Sequence, residues 1–423
     1  MIDSMFEEWN EQRPEIITSQ NYSSSEDFKN IIDSFSTPTN KKGITSSLET
    51  LGNFLKEEND GIYARGGHPN FAQLEERVKL MEIGNLSHSE YFGAKVFSSG
   101  MAAIFAALST LSNDREGFFI KGDVMYHSAG ELLKKDGKGR CMVGSLPGVE
   151  LDLNSQNSPN ILTNYLEMNK NGQNIPVLGI ILETVANPTI TYADIRSLAE
   201  IAHNYDTPLI VDNTILSPYL LEPFRMGADI VIQSITKNFG GQGDMVGGVA
   251  VGPNEFMKKL HEQRTHTGGV MSIDNAYEYA TRIPNFIKNI ETSCKNSKYL
   301  ANELQTIDSI DVNYPNLDGK TREGYAGNVL SFEFKGDNDQ DVYNKSVKFH
   351  EHLMENKDLV KCAVSFGEPK TLVVPYASQF GDLDIIKETN AFPVGLVRVG
   401  VGRENQKDFS KVVQYIKNGI EHI

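Results

Sequence analysis

The segment "PVLGIILETVANPTITYADIRSLAEIAHNYDTPLIVDNT", residues 176–214, determines the predicted fold. Residues 176–188 and 207–214 contain apolar runs bounded by turn residues, as expected of strands that are buried on both faces. Between them, residues 194–206 carry apolar side chains at helical spacing, and Asp194 is placed to cap that helix. This alternation of strand, helix and strand predicts a largely parallel sheet with right-handed crossovers.

The flanking sequence extends the pattern. Residues 228–234 predict a further strand, and residues 275–304 predict helix that is interrupted at Pro284. Three later strands and a last helix are predicted at 328–334, 370–374, 394–402 and 406–421. We therefore predict an α/β fold, with a mostly parallel sheet in a large domain and a smaller C-terminal α+β domain. The predicted parts are an amino-terminal arm, the large domain and the C-terminal domain: residues 1–60, 61–255 and 256–423.

The composition argues against several classes of function. The 423 residues carry 56 Asp and Glu against 40 Lys and Arg, a net charge of −16, which disfavours nucleic acid or an anionic membrane as the main partner. No apolar run approaches a membrane span, and the first residues do not resemble a secretory signal. The three cysteines are far apart and lack zinc-site spacing. We expect a cytoplasmic protein that binds no metal.

Polar side chains end three successive predicted strands. Because parallel strands bring their carboxyl ends to one edge of the sheet, these side chains are expected to form a site there, although helix caps and surface turns would place similar residues at strand ends. The residues are Glu183 and Asn187, then Asp212, then Ser234, Thr236 and Lys237.

A strand-end carboxylate near a strand-end lysine has two interpretations. One is an ion pair at the edge of the sheet. The other is a site for pyridoxal phosphate, in which Lys237 forms a Schiff base and Asp212 keeps the pyridine nitrogen protonated.

A phosphate group needs hydrogen-bond donors, and "FSSGMAAIFAALSTL", residues 97–111, offers them. The turn at Ser99 and Gly100 opens an alanine-rich helix, so backbone N–H groups at Gly100 and Met101 would favour an anion. Small residues also cap ordinary helices, so this segment is compatible with a purely structural role.

Together these motifs resemble one family. "SSGMAAI", "ETVANP", "VDNT" and "SITK…GDMVGG" occur in the order and spacing of the Cys/Met-metabolism family of pyridoxal-phosphate enzymes. That family includes cystathionine γ-synthases, cystathionine lyases, methionine γ-lyases and O-acylhomoserine sulfhydrylases, and it has the fold of type I pyridoxal-phosphate enzymes. The resemblance spans about residues 60–420.

The resemblance implies roles for individual residues. Lys237 would carry the cofactor, Asp212 would pair with its ring nitrogen, and Asn187 would contact the side of the ring that bears the hydroxyl. The phosphate would be held by Ser99, Gly100, Met101, Ser234 and Thr236.

Two tyrosine segments carry further implied roles. "YARGGHPN", residues 63–70, resembles the segment through which Tyr63 and Arg65 reach the phosphate of a neighbouring subunit, which implies a homo-oligomer, a tetramer built from dimers that share active sites. Tyr126 would stack on the cofactor ring and transfer protons, although core packing is an alternative for this tyrosine.

The substrate would be a small amino acid held by its α-carboxylate. "VRVGVG", residues 397–402, makes Arg398 the bidentate clamp, with Ser365 beside the same carboxylate. The serine that the family pattern places two residues after the arginine is here Gly400.

The implied reaction is γ-replacement on an activated homoserine, as in O-acylhomoserine sulfhydrylases and cystathionine γ-synthases. The alternative is elimination of a C–S bond, as in methionine γ-lyases and cystathionine lyases, and a more remote one is a non-catalytic relative. Val364 stands where enzymes acting on cystathionine usually carry glutamate or tyrosine, and Ser128 stands where methionine γ-lyases commonly carry cysteine. Further departures from the family pattern are at His68, His127 and Gln242.

Overall fold

The computed structural model describes residues 6, 10–11, 23–35, 63–84, 86, 89–113, 115–136, 140–377, 382–389 and 392–423. Most of the predicted arm, residues 1–60, lies outside the described residues. The chain forms two compact units. The first contains the described parts of residues 1–184, 193–240 and 244–285, and the second those of 185–192, 241–243 and 286–423.

The first unit is an α/β layer structure. Its helices are α1 (Ser25–Asp33), α2 (Pro69–Ile83), α3 (Gly100–Ser112), α4 (His127–Glu131), α5 (Ser158–Asn171), α6 (Ile195–His203), α7 (Ser217–Leu220), α8 (Asn254–Thr267) and α9 (Ile273–Arg282). Short 3-10 turns occupy Ser89–Tyr91, Pro223–Met226 and Ile283–Asn285. Its strands are β1 (Phe92–Phe97), β2 (Phe118–Gly122), β3 (Val149–Leu151), β4 (Val177–Glu183), β5 (Leu209–Asp212), β6 (Ile230–Gln233) and β7 (Gly248–Pro253).

These strands form one sheet in the order β1-β7-β6-β5-β4-β2-β3. The run from β6 to β3 is parallel throughout, whereas β7 and β1 pair antiparallel at the other edge. From β4 the chain continues outward to β5 and β6, while β3 lies on the opposite side of β2. The order therefore reverses between β2 and β4, and the crevice at such a switch point is where ligands bind in open α/β sheets.

The predicted central unit is confirmed. The predicted strands correspond to β4, β5 and β6, and their mutual pairing is parallel. Asp194 caps α6, accepting a hydrogen bond from the backbone N–H of Ser197 at 3.3 Å. The antiparallel edge was not anticipated, because a buried apolar run does not reveal the direction of its neighbour.

The second unit is a five-stranded sheet covered by helices. Its strands are β8 (Ile310–Asn313), β9 (Val329–Phe334), β10 (Lys361–Cys362), β11 (Leu372–Pro375) and β12 (Leu396–Gly400), in the order β10-β11-β12-β9-β8. All neighbours are antiparallel except β10 and β11. Its helices are α10 (Phe286–Leu304), α11 (Asp339–Glu355), α12 (Leu383–Thr389) and α13 (Gln406–Glu421), with a 3-10 turn at Arg322–Gly324.

The core of this unit is aromatic at its centre, where Phe332 and Phe349 meet edge to face with ring centroids 5.7 Å apart. The predicted interruption at Pro284 is confirmed, since α9 and α10 are separated by the turn that contains it. The predicted domain boundaries stay a prediction; α8 and α9 group with the first unit, beyond residue 255. No helix among the described residues is long and apolar enough to cross a membrane.

A buried carboxyl group lies in the core of the first unit. The Glu82 side chain on α2 is 0% exposed, and it accepts a hydrogen bond from Gln233, the last residue of β6. Burial raises the pKa of Glu82 to about 8, and the nearby carboxylates of Glu222 and Asp212 add to that rise. Glu82 is therefore a neutral acid at pH 7.

Replacing Glu82 with glutamine is expected to stabilise the protein increasingly as the pH rises from about 4.5 to about 8. In that window the unfolded chain releases the proton that the folded protein retains, so stability falls by up to about 1.4 kcal/mol per pH unit, and Glu82→Gln removes this loss. Urea denaturation at pH 5, 6.5 and 8 measures it. The matched control is Glu76→Gln, which changes an exposed carboxylate on the same helix. A Glu82→Gln effect that did not vary with pH would contradict the assignment.

Candidate active site

The carboxyl ends of β4 and β5 are held side by side. Glu183 and Asp212, the last residues of the two strands, are in register, and the backbone N–H of Thr184 donates to the Asp212 carbonyl at 3.0 Å. Ile232 of β6 is in register with Asp212 on its other side. The predicted convergence of the three strand ends is therefore confirmed for the backbone.

Thr214 orients the Asp212 carboxylate. Its hydroxyl and its backbone N–H, the latter at 2.9 Å, both donate to Asp212 Oδ1. The same hydroxyl accepts a hydrogen bond from the backbone N–H of Ser234 at 2.8 Å, so it ties the end of β5 to the residue that follows β6. The role of Thr214 was not predicted, although its place two residues after the aspartate in "VDNT" is a position from which a hydroxyl reaches back to a carboxylate.

The environment of Asp212 suits a cationic partner. Burial raises the pKa of the Asp212 carboxyl, and the two hydrogen bonds from Thr214 oppose that rise. A positive charge close to this carboxylate would lower the pKa again and be stabilised itself. The site therefore fits a protonated ring nitrogen.

Lys237 lies in the turn that follows β6, and its backbone N–H donates to the Ser234 carbonyl at 3.2 Å. The preceding residue, Thr236, is paired with Gly247. Its hydroxyl donates to the Gly247 carbonyl at 3.1 Å and accepts from the Gly247 N–H at 3.0 Å. Residues 237–246 thus form a loop whose ends are joined beside the lysine. The predicted donation from Thr236 to a phosphate stays a prediction, since its hydroxyl proton here faces Gly247.

The predicted phosphate segment forms a helix start packed against the end of β6. Ser99 caps α3 by accepting from the N–H of Ala102 at 3.0 Å. A Cβ atom on Gly100 would lie 2.8 Å from Cβ of Ser234, and one on Gly248 would lie 2.1 Å from the Ser99 carbonyl oxygen. Only glycine allows this approach. The first-turn N–H groups of α3 are thereby held beside Ser234, an arrangement that fits a phosphate.

Tyr126 follows β2 and is 48% exposed. Its backbone N–H donates to Oε1 of Glu183 at 2.8 Å. The structure therefore brings the predicted stacking tyrosine and the strand-end glutamate together, a contact that the sequence did not indicate. The exposed residue is not packed into the core of the first unit, and its predicted role at the cofactor stays a prediction.

Tyr63 and Arg65 lie in an exposed turn before α2. The Arg65 guanidinium lies 5.4 Å from the Tyr63 ring centroid and donates to the Thr265 carbonyl at 2.7 Å. These contacts hold the two side chains at the surface of the first unit. Their predicted contact with the cofactor of a neighbouring subunit stays a prediction.

The predicted carboxylate clamp belongs to the second unit. Arg398 on β12 is 3% exposed and donates to Asn187 Oδ1 at 2.9 Å, to the Ser365 carbonyl at 3.2 Å and to the Val364 carbonyl. Three acceptors therefore aim the guanidinium. The link to Asn187 was missed, because Asn187 and Arg398 were assigned to different ligand groups. The predicted role of the Ser365 side chain stays a prediction.

The absent serine at position 400 has a steric explanation. A Cβ atom on Gly400 would lie 2.7 Å from Cβ of Phe366 and 2.9 Å from the Ser365 carbonyl oxygen. Any side chain there would displace the segment that aims Arg398. Glycine replaces the serine of the family pattern here because Phe366 packs against position 400.

Other unusual residues have structural roles. His68 caps α2 by accepting from the N–H of Asn70 at 3.1 Å. His350 and His352, two residues apart on α11, face different partners, which are Cys362 and Tyr415 respectively. Among the described residues, no group of three side chains is arranged to hold a metal ion.

The first unit therefore presents a carboxylate suited to a cationic ring nitrogen, a helix start suited to phosphate and a lysine at the adjoining strand end. The profile of the family described as Cys/Met metabolism PLP-dependent enzyme matches residues 34–415. The chain belongs to this family, and its members depend on pyridoxal phosphate. The resemblance, the enzyme class and the cofactor inferred from the motifs are confirmed.

Individual relatives differ in their reactions. The chain is 30% identical over 385 residues to the L-methionine γ-lyase of Fusobacterium nucleatum subsp. polymorphum, covering 88% of each chain. It is 28% identical over 368 residues to the cystathionine β-lyase of Lactococcus lactis subsp. cremoris, covering 84% of this chain and 88% of the relative.

Solved structures confirm the predicted type I fold. Cystathionine γ-synthase of Xanthomonas oryzae pv. oryzae superposes with a TM-score of 0.77 at 21% identity, over 94% of this chain and 99% of that one. The structure described as a putative O-acetylhomoserine (thiol)-lyase of Campylobacter jejuni gives 0.71 at 20% identity, over 93% and 99%.

Replacing Thr214 with valine is expected to weaken cofactor binding about tenfold or more, the usual effect of removing a hydrogen bond to a charged group. Asp212 would lose a donor and the backbone N–H of Ser234 would lose its acceptor. Titration of cofactor-free protein, followed by visible absorption, measures the dissociation constant. Thr214→Ser keeps the hydroxyl and is the matched control. An unchanged constant in Thr214→Val would show that Thr214 does not orient Asp212.

Proposed function

We propose that this enzyme catalyses γ-replacement on an activated homoserine, in which a small thiol or sulfide takes the place of the γ-substituent. The choice of this reaction among those of the family rests on Val364. This residue is 59% exposed, and its backbone carbonyl, like that of Ser365, accepts a hydrogen bond from Arg398. An apolar residue there offers nothing to the second amino-acid group of a substrate such as cystathionine. A four-carbon amino acid with a small uncharged substituent needs no such partner.

The cofactor would be held by the residues that the family pattern assigns to it. Asp212 would pair with the ring nitrogen and Asn187 with the ring hydroxyl, while Tyr126 would stack on the ring. The phosphate would be bound by Ser99, Gly100, Met101, Ser234 and Thr236, joined by Tyr63 and Arg65 of a neighbouring copy. When bound, pyridoxal phosphate supplies an electron sink that stabilises negative charge on the substrate carbons.

The protein's own groups would move protons and orient the substrate. The Lys237 amine, once released from the cofactor, would take the α-proton and then transfer a β-proton. The Tyr126 hydroxyl would assist these transfers. Arg398, aimed by Asn187 and two backbone carbonyls, would bind the α-carboxylate and align the bond that breaks.

Elimination of a thiol from methionine is the second candidate. The relatives named as L-methionine γ-lyases favour it, and the chain covers most of their length. Ser128, exposed beside Tyr126, stands where those enzymes commonly carry cysteine and argues for replacement instead. Both candidates begin with the same proton transfers and differ in whether a nucleophile or water completes the reaction.

We also propose a homo-oligomer, because Tyr63 and Arg65 are exposed on a single copy and their proposed ligand belongs to a neighbour. The proposed oligomer is a tetramer built from dimers that share active sites. We propose a cytoplasmic location for it.

Product analysis is expected to show formation of homocysteine and acetate from O-acetylhomoserine plus sulfide at a higher kcat/KM than release of 2-oxobutanoate from methionine or cystathionine. All three substrates are assayed in parallel with purified enzyme. Lys237→Ala should fold, lose the visible absorption of lysine-bound cofactor and lose activity. Faster 2-oxobutanoate release from methionine would favour the second candidate. Parent protein that folds but remains colourless with added cofactor would contradict both.

Replacing Val364 with glutamate is expected to raise kcat/KM for cystathionine about tenfold relative to that for O-acetylhomoserine, because a carboxylate could pair with the distal ammonium group. The Arg398 contact uses the backbone carbonyl of residue 364, so the clamp should survive the substitution. Val364→Gln, of similar size but uncharged, is the matched control. An unchanged ratio would show that residue 364 does not face the substrate side chain.

A further inference from the structure

Glu183 has no task in the proposed function, although it ends the central strand of the site. Its side chain is 6% exposed, and its Oε1 accepts a hydrogen bond from the backbone N–H of Tyr126 at 2.8 Å. A carboxylate taken out of water is stable only if hydrogen bonds replace its hydration. The bond from Tyr126 supplies part of that replacement.

The contact crosses the switch point of the sheet. Glu183 ends β4 and Tyr126 follows β2, the two parallel neighbours between which the strand order reverses. Each residue leaves its strand in the crevice where this fold binds its ligands. The hydrogen bond therefore fixes two walls of the crevice to each other.

The other backbone hydrogen bonds of Tyr126 are local to α4: its carbonyl accepts from the N–H groups of Ala129 at 2.9 Å and Gly130 at 3.4 Å. Tyr126 is the residue at the cap position of α4, and its side chain forms no capping hydrogen bond. The residue is 48% exposed, so core packing does not hold it in place. Since α4 is only five residues long, its start depends on contacts outside the helix.

We propose that Glu183 is a positioning residue, whose carboxylate fixes the backbone of Tyr126 and thereby the placement of the tyrosine ring. The inference rests on the role given to Tyr126 in the proposed function. A hydrogen bond from N–H to a charged oxygen is among the stronger ones in proteins, so its loss releases the start of α4. The side chain acts through Tyr126 and needs no contact with the substrate.

Amide hydrogen exchange of the full-length protein, with and without pyridoxal phosphate, tests the contact directly. Glu183→Ala is expected to accelerate exchange of the Tyr126 amide about tenfold or more. Glu183→Gln retains an acceptor oxygen and should give a smaller increase. The control is Glu167→Ala, an exposed glutamate on α5, which should leave this amide unchanged. Unchanged exchange in Glu183→Ala would overturn the proposal.

A double-mutant cycle with Tyr126→Ala tests the consequence. Glu183→Ala should lower kcat/KM about tenfold or more in the parent, and less than about twofold in the Tyr126→Ala background. Glu183→Gln should retain most of the parent kcat/KM and most of the circular dichroism of the bound cofactor. Additive losses would overturn the proposal, because Glu183 would then act independently. Full activity of Tyr126→Ala would overturn the proposed role of Tyr126 and the inference with it, while the exchange result would still report the contact.

Discussion

The in-register pairing of β4, β5 and β6 is the constraint on which the site depends. These parallel strands end at the same edge of the sheet. The residues at their carboxyl ends are therefore adjacent in space although far apart in sequence. Glu183 and Asp212 are neighbours for this reason alone. A slip of one residue in β5 would turn the carboxylate of Asp212 to the opposite face of the sheet.

Close packing within each unit tolerates little change of volume. Gly100 lets the start of α3 approach Ser234, and Gly248 lets it approach β7. In the second unit, Gly400 leaves room for the segment that holds Arg398. The Thr214 hydroxyl joins two strand ends while orienting Asp212. In each place a small group sets the distance between larger elements.

The main elements of the fold and the cofactor could be predicted because the patterns that indicate them are local in the sequence. Apolar runs, turn residues and the break at Pro284 are visible along the chain, and the motif around Lys237 is distinctive.

The contacts of Thr214, of Glu183 with Tyr126 and of Asn187 with Arg398 could not be predicted, because they depend on how distant segments are placed in the fold. No local signal shows that β2 lies beside β4, or that β7 and β1 run antiparallel. The steric reason for Gly400 likewise appears only when Phe366 is placed next to it.

The way in which Arg398 is held has a consequence for how such an enzyme can change over time. Two of its acceptors are main-chain carbonyls, which every residue type provides, and the side chain at position 364 points largely into solvent. Selection can therefore replace that side chain without loosening the guanidinium. Under the proposed roles of Arg398 and residue 364, recognition of the α-carboxylate would be independent of recognition of the substrate side chain. One codon change could then give a new substrate range to a lineage that retains its catalytic core.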